Sequence, residues 1–267
     1  MSVRHVLPIA ATLFLASCAA AVATTPISTP SIGGTPGGAD GGTAPSLSTS
    51  VPTPTAAVVP TANPSPVGAS LASAQADFDC DGKVDRLQFF ARPPGAPRDA
   101  IILARLTLAS GTVHDATLGS NDVSEANPLI GIADVNGDGC DDAIVTVGRG
   151  ASTTWTSFLV YDDNDLRRVE EDGKPAMFLF GGSVRHGNAI ECRTRKDATE
   201  LVARAVSDYT SDFQWDAVED VHHWSTRSRL VLWSTSRSVI EVGVRYAMPA
   251  DQEHYWGLSC GSVKLAG

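Results

Sequence analysis

The chain has 267 residues, with 30 Asp and Glu against 20 Lys and Arg, a formal charge of −10. The basic residues are scattered, so neither composition nor patterning points to a nucleic-acid partner. With 43% hydrophobic residues the chain is rich enough in apolar side chains to build a core, and its length fits one folded domain beside non-globular segments.

Residues 1–17 read as an export signal. Arg4 and His5 form a short basic head, and Val6 to Ala16 is an apolar run too short to span a bilayer as a helix. It ends Leu15-Ala16-Ser17-Cys18, the texture of a bacterial lipobox, in which cleavage precedes the cysteine and the Cys18 thiol takes a diacylglycerol. The alternative is a plain secretory signal cleaved near Ala20 to Ala23. A lipid on Cys18 predicts an extracytoplasmic protein anchored to a bacterial membrane, facing the cell surface or the periplasm. Residues 18–70 change character completely. Pro, Thr, Ser, Gly and Ala dominate, there is no aromatic residue, and Asp40 is the one charge. Such a segment buries too little apolar surface to offset its ordering entropy, so it predicts a disordered tether with polyproline-II character. Fully extended at ~3.1 Å per residue it would reach about 150 Å.

The folded region is expected at 71–267, and it opens on a stretch that occurs twice. Asp77-Phe78-Asp79-Cys80-Asp81-Gly82-Lys83-Val84-Asp85 and Asp134-Val135-Asn136-Gly137-Asp138-Gly139-Cys140-Asp141-Asp142 share the spacing D-x-[DN]-x-D-G-x-x-D. Calcium takes six to eight oxygens at roughly 2.3–2.6 Å, and a short loop supplies them when carboxylates or amides alternate. The candidate ligands are Asp77, Asp79, Asp81 and Asp85, then Asp134, Asn136, Asp138 and Asp142, with the backbone carbonyls of Lys83 and Cys140 between. Gly82 and Gly139 permit the sharp turn. Crowded carboxylates repel one another without a cation, whereas turn chemistry alone accounts for a single such loop better than for two. An EF-hand needs Glu at position 12; Gln88 and Val145 stand there. Each loop runs instead into a β-rich segment, Arg86 to Phe90 and Ala143 to Val147.

Further strands are predicted at Ala100 to Thr107, Ser157 to Tyr161 and Met177 to Phe180. Arg229 to Trp233 and Ser238 to Val244 read as a hairpin joined by Ser234 to Arg237. No long stretch has a clean 3.6-residue period. The expected fold class is therefore mostly β. The loops begin at residues 77 and 134, an offset of 57, which suits a β-sheet repeat of propeller-blade size. Units are expected near 77–133 and 134–190. A degenerate third at 191–267 keeps the strand pattern (Ile190 to Arg193, Glu200 to Arg204) without the acidic ladder.

The run Asp134 to Val145 resembles the core of an FG-GAP or VCBS-type repeat, the kind that builds calcium-carrying blades in integrin α-chain propellers and in many bacterial surface proteins. The resemblance implies calcium as cofactor at the carboxylate and amide positions named above. It covers about a third of the folded region. Only two good repeats are present and a closed propeller takes at least four blades, so a partial, propeller-like fragment or a small two-loop β-domain is the expectation.

With Cys18 set aside, Cys80, Cys140, Cys192 and Cys260 remain, an even number in an exported chain. Cys80–Cys140 and Cys192–Cys260 are the favoured disulfides among three connectivities, because the first would hold the two loops together. No C-x-x-C pair suggests zinc. Catalytic motifs are missing too. Gly181-Gly182-Ser183-Val184-Arg185 lacks the last glycine of a nucleophile elbow. Glu219 to Trp224 places acids beside His222 and His223, which would face opposite sides of a strand. The sequence thus points to a calcium-binding module with a binding or structural role at the cell surface, its partner a surface protein or glycan. The alternatives are a secreted hydrolase using His222, His223 or His254, or a wall- or glycan-binding module using Trp215, Trp224, Trp233 or Trp256.

Overall fold

The computed structural model describes residues 68–91, 102–118, 127–196 and 198–267. The export signal, Cys18 and nearly all of the tether lie outside the described residues, as do Ala100 and Ile101 of one expected strand.

Two consecutive antiparallel meanders begin the domain. The first comprises β1 (Ser70–Ala76), β2 (Asp85–Ala91), β3 (Ile102–Thr107) and β4 (Val113–Thr117), hydrogen-bonded in that order. The second comprises β5 (Leu129–Ala133), β6 (Asp142–Arg149), β7 (Thr153–Asp162) and β8 (Asp165–Arg168), paired β5–β6, β6–β7 and β7–β8. In both, the acidic loop is the connection of the first hairpin, closed by Ala76 opposite Asp85 and by Ala133 opposite Asp142. The offset of 57 therefore extends from the loop motif to strand register. The structural unit starts at β1 and β5, one strand ahead of each loop.

Burial explains how the meanders stack. In β2 and β3 alternate residues are buried: Leu87 and Phe89, then Ile102, Ala104 and Leu106. This is the period of a sheet with one covered face. In β6 every residue from Ala143 to Val147 is buried. Ala143, Val145 and Val147 join the first meander's core, while Ile144 joins a second core with Phe158, Val160 and Phe178. The unbroken apolar run at 143–147 is thus a strand covered on both faces.

The remainder is built from longer strands. β9 (Glu170–Glu171) and β10 (Lys174–Pro175) form a short ladder. β11 (Phe178–Ser183), β12 (His186–Arg195), β13 (Ala198–Ser211), β14 (Gln214–Thr226) and β15 (Arg229–Glu241) follow. After the four-residue helix α1 (Gln252–Tyr255), β16 (Gly257–Cys260) and β17 (Val263–Leu265) end the fold. β5 to β17 form one 13-stranded sheet, with β10-β9-β15-β14-β13-β12-β11-β7-β6-β5 as its spine. Among the described residues neither sheet closes on itself. Residues 191–267, expected as a degenerate third unit, hold most of these long strands, α1 and the C-terminal hairpin.

The expected hairpin at 229–244 is corrected. Arg229 to Glu241 is a single strand, paired along β14 from Thr226 opposite Arg229 to Gln214 opposite Glu241. Ser234-Thr235-Ser236-Arg237 contains no Gly, Asn or Pro to favour a reversal, and it lies opposite Val221 to Val218. The true reversal is at Arg227 and Ser228, between β14 and β15.

Candidate metal centre

Each acidic loop is held by the same four backbone-to-side-chain bonds. The second residue's amide donates to the ninth residue's carboxylate: Phe78 N to Asp85 Oδ2 at 2.9 Å, Val135 N to Asp142 Oδ2 at 3.0 Å. The glycine amide donates to the first carboxylate: Gly82 N to Asp77 Oδ2 and Gly139 N to Asp134 Oδ2, both 3.0 Å. The fifth amide donates to the third side chain, Asp81 N to Asp79 Oδ1 at 3.1 Å and Asp138 N to Asn136 Oδ1 at 2.9 Å. The seventh donates to the fifth, Lys83 N to Asp81 Oδ1 and Cys140 N to Asp138 Oδ1, both 2.8 Å. Alternating acidic residues thus curl the loop around their own side chains, and the backbone is left-handed at the glycines, with φ of 77° at Gly82 and 88° at Gly139.

The loops also grip each other. Cys80 and Cys140 form a disulfide with Cα atoms 5.1 Å apart. Asp141 N donates to the Asp77 carbonyl at 2.9 Å, and Asp77 N donates to Asp141 Oδ2 at 3.1 Å. The second disulfide, Cys192–Cys260, joins β12 to β16 at directly paired positions. Both expected pairings are present.

The candidate ligands are not equally assembled. In the first loop, carboxylate oxygens of Asp77, Asp79 and Asp85 lie within 4.8 Å of one another. That is the separation two oxygens reach across one ion at about 2.4 Å from each. Asp77 Oδ1 is buried without a hydrogen-bond partner. An oxygen so placed carries an unrelieved desolvation penalty that a cation would remove. The Asp79 carboxyl titrates above its ordinary range because of desolvation and the charges of Asp85, Asp81 and Asp77. Asp81 is turned outward to the Lys83 ammonium at 2.8 Å, which holds its carboxyl below the ordinary range. The residues fit a hard divalent cation, with three carboxylates converging and the fourth at the rim.

In the second loop the same positions are differently engaged. Asp134 Oδ1, the counterpart of the unpartnered Asp77 oxygen, accepts Gly137 N at 2.6 Å and Asp138 N at 3.2 Å. Asp138 Oδ2 faces Arg227 Nε at 3.2 Å, and Asn136 Nδ2 donates to the Arg227 carbonyl at 3.1 Å. Asp142 is buried, and desolvation together with Asp138 and Asp134 pushes its carboxyl well above the ordinary range. Cys80, Cys140 and Asp138 also lie close together, but both sulfurs are in the disulfide and offer no thiolate. Arg227 was invisible as a loop partner in the sequence, because it arrives from the distant β14–β15 turn.

The other polar candidates do not converge. His222 is buried with Nε2 3.1 Å from Glu171 Oε1, whereas His223 Nε2 lies 3.3 Å from Glu200 Oε1 and its ring stacks on Trp233. The two imidazoles serve different partners, as adjacent strand residues must. His254 lies in α1, edge-on to Tyr255. Of the tryptophans, Trp215 is buried against Trp256 and Trp224 packs on the second core, while Trp233 is 69% exposed. In comparisons with known proteins, no protein family, no curated protein and no solved structure matches the chain.

Proposed function

We propose that the protein is a lipid-anchored, extracytoplasmic β-domain that holds calcium in the first of its two acidic hairpin loops and serves a binding or structural role at the cell surface. The observation that carries the metal is the first loop: three converging carboxylates, one of them with a buried, unpartnered oxygen. The loops' shared bonding and register support the resemblance to a VCBS-type repeat, since two meanders repeat both strand order and loop geometry. Two disulfides support an oxidising compartment outside the cytoplasm. The Leu15 to Cys18 sequence supports the lipid anchor, and two or more acyl chains give stable attachment where one gives only marginal binding.

Bound calcium would neutralise the crowded carboxylates and lock the β1–β2 loop, while this chain's residues position the oxygens and cross-link the loop to its neighbour. At ~1 mM calcium and a Kd near 0.1 mM, one site adds about 1.4 kcal/mol. The test is thermal unfolding in chelator and in millimolar calcium. Calcium raises Tm by several degrees in the natural protein, and Asp79→Asn removes most of the increment. Identical melting in both buffers would overturn the proposal.

A further inference from the structure

The two loops share a backbone, and they differ in what stands beside the fifth-position carboxylate. In the first loop that partner is Lys83, from the loop itself, with a side chain 68% exposed and pointing outward from the rim. An exposed pair of this kind is weakly held. In the second loop it is Arg227, from the turn between β14 and β15; its side chain is also 47% exposed, but it is fixed at more than one point. Its Nε lies 3.2 Å from Asp138 Oδ2, its Nη1 lies 3.8 Å from Cys140 Sγ, and its carbonyl accepts the Asn136 amide at 3.1 Å. The turn is further tied down by Ser228, whose hydroxyl donates to Asp162 Oδ2 at 2.6 Å. Gly137 sits against β13 so closely that a Cβ there would collide with Thr199. The second loop is therefore packed onto the long sheet, and a guanidinium is delivered to its fifth-position carboxylate, Asp138.

The remaining differences run the same way. Asn136 stands where the first loop has Asp79, which removes one negative charge. Its amide nitrogen is committed to Arg227. Asp134 Oδ1 is satisfied by two loop amides, whereas its counterpart on Asp77 has none. A carboxylate trio converges only in the first loop among the described residues.

We infer that Arg227 is the resident cation of the second loop. Its guanidinium supplies beside Asp138 the positive charge that an ion would otherwise bring to the loop, so the protein holds one calcium, in the first loop, and a built-in arginine in the second. This rests on the calcium reading of the first loop. A covalently supplied charge keeps the second loop folded whatever the calcium concentration, while the first responds to it. Arg227 also couples the second loop to the tip of the β14–β15 hairpin, so displacing that tip would uncover an acidic loop able to take an ion.

The experiment is calcium titration of the full chain by calorimetry, with calcium as the probe, on the natural protein and on Arg227→Gln. The expected stoichiometry is one ion in the natural protein and two in Arg227→Gln. Melting gives a second reading. In chelator, Arg227→Gln melts lower than the natural protein, and calcium restores it, so the variant's calcium-dependent Tm increment is the larger of the two. An arginine that only packs would lower Tm without that rescue. Two ions in the natural protein, one of them lost in Asp138→Asn, would overturn the inference and leave the first-loop reading standing. One ion in both proteins, with no rescue, would overturn it as well. No ion in either would overturn both readings.

Discussion

At Asp77 one carboxylate oxygen accepts the Gly82 amide and the other is buried without a partner, while at Asp85 both oxygens are occupied, by the amides of Phe78 and Ala109. At Asp79 the Oδ1 accepts the Asp81 amide, a bond that Asn keeps, so Asp79 and Asp85 respond differently to substitution. Asp85→Ala would leave two amides without their acceptor and remove a candidate ligand, so it should lose about 2–4 kcal/mol in chelator and more in calcium. Asp79→Asn should lose only the calcium-dependent part. Denaturant unfolding in both buffers separates the two effects. A pH effect belongs to Glu200, whose carboxyl is held below its ordinary value of 4.5 by the Arg193 guanidinium, 2.8 Å away, with His223 adding to it. A depressed carboxyl stabilises the fold fully above its unfolded value, and that contribution fades as pH falls through the folded one. Arg193→Ala should therefore melt lower at pH 7 and differ less from the natural protein in strong acid. A thermal series from pH 7 to pH 2 checks it; a difference that stays constant would contradict it.

The acidic hairpins are the elements most legible in the sequence, because their backbone is dictated by their own side chains. Every second residue is an acceptor for a nearby amide, and glycine stands at a left-handed position, so spacing alone specifies the curl. The strands after each loop were legible for a similar reason: Ala143 to Val147 is too apolar to face water on either side. The β14–β15 hairpin was not legible. Its strand carries Val231, Leu232 and Trp233 exposed, and its polar middle pairs fully with β14, so apolar runs separated by serines misplaced the reversal. Arg227 was hidden with it, since nothing local marks a turn residue as the partner of a loop some ninety positions earlier. The Cys80–Cys140 bridge fixes two hairpins across a sequence separation of 60. The chain-entropy relation gives about 4 kcal/mol for a loop of that size. Cys80→Ser with Cys140→Ser should lower stability by about 2–4 kcal/mol and weaken calcium binding, because the bridge and the Asp77–Asp141 contacts hold the loops together. Chemical denaturation and titration of the double variant test this; unchanged affinity would show that the first loop forms unaided.

For the whole molecule, the two meanders and the long sheet are joined through β6 and β7, whose opposite faces feed two cores. The acidic loops lie at one end of these central strands, so the proposed ion in the first loop would stiffen the β1–β2 hairpin and, through Asp77, Asp141 and the disulfide, the β5–β6 hairpin beside it. Among the described residues neither sheet closes, and the sequence itself holds only two good repeats where a closed propeller takes at least four blades. The most direct measurement is the calcium content of the folded full chain after equilibrium dialysis against millimolar calcium, compared with Asp79→Asn. Calcium bound to the natural protein and largely lost from the variant is the predicted result. A correctly folded protein that retains no calcium, or a variant that retains as much as the natural chain, would contradict a metal centre built on Asp77, Asp79 and Asp85.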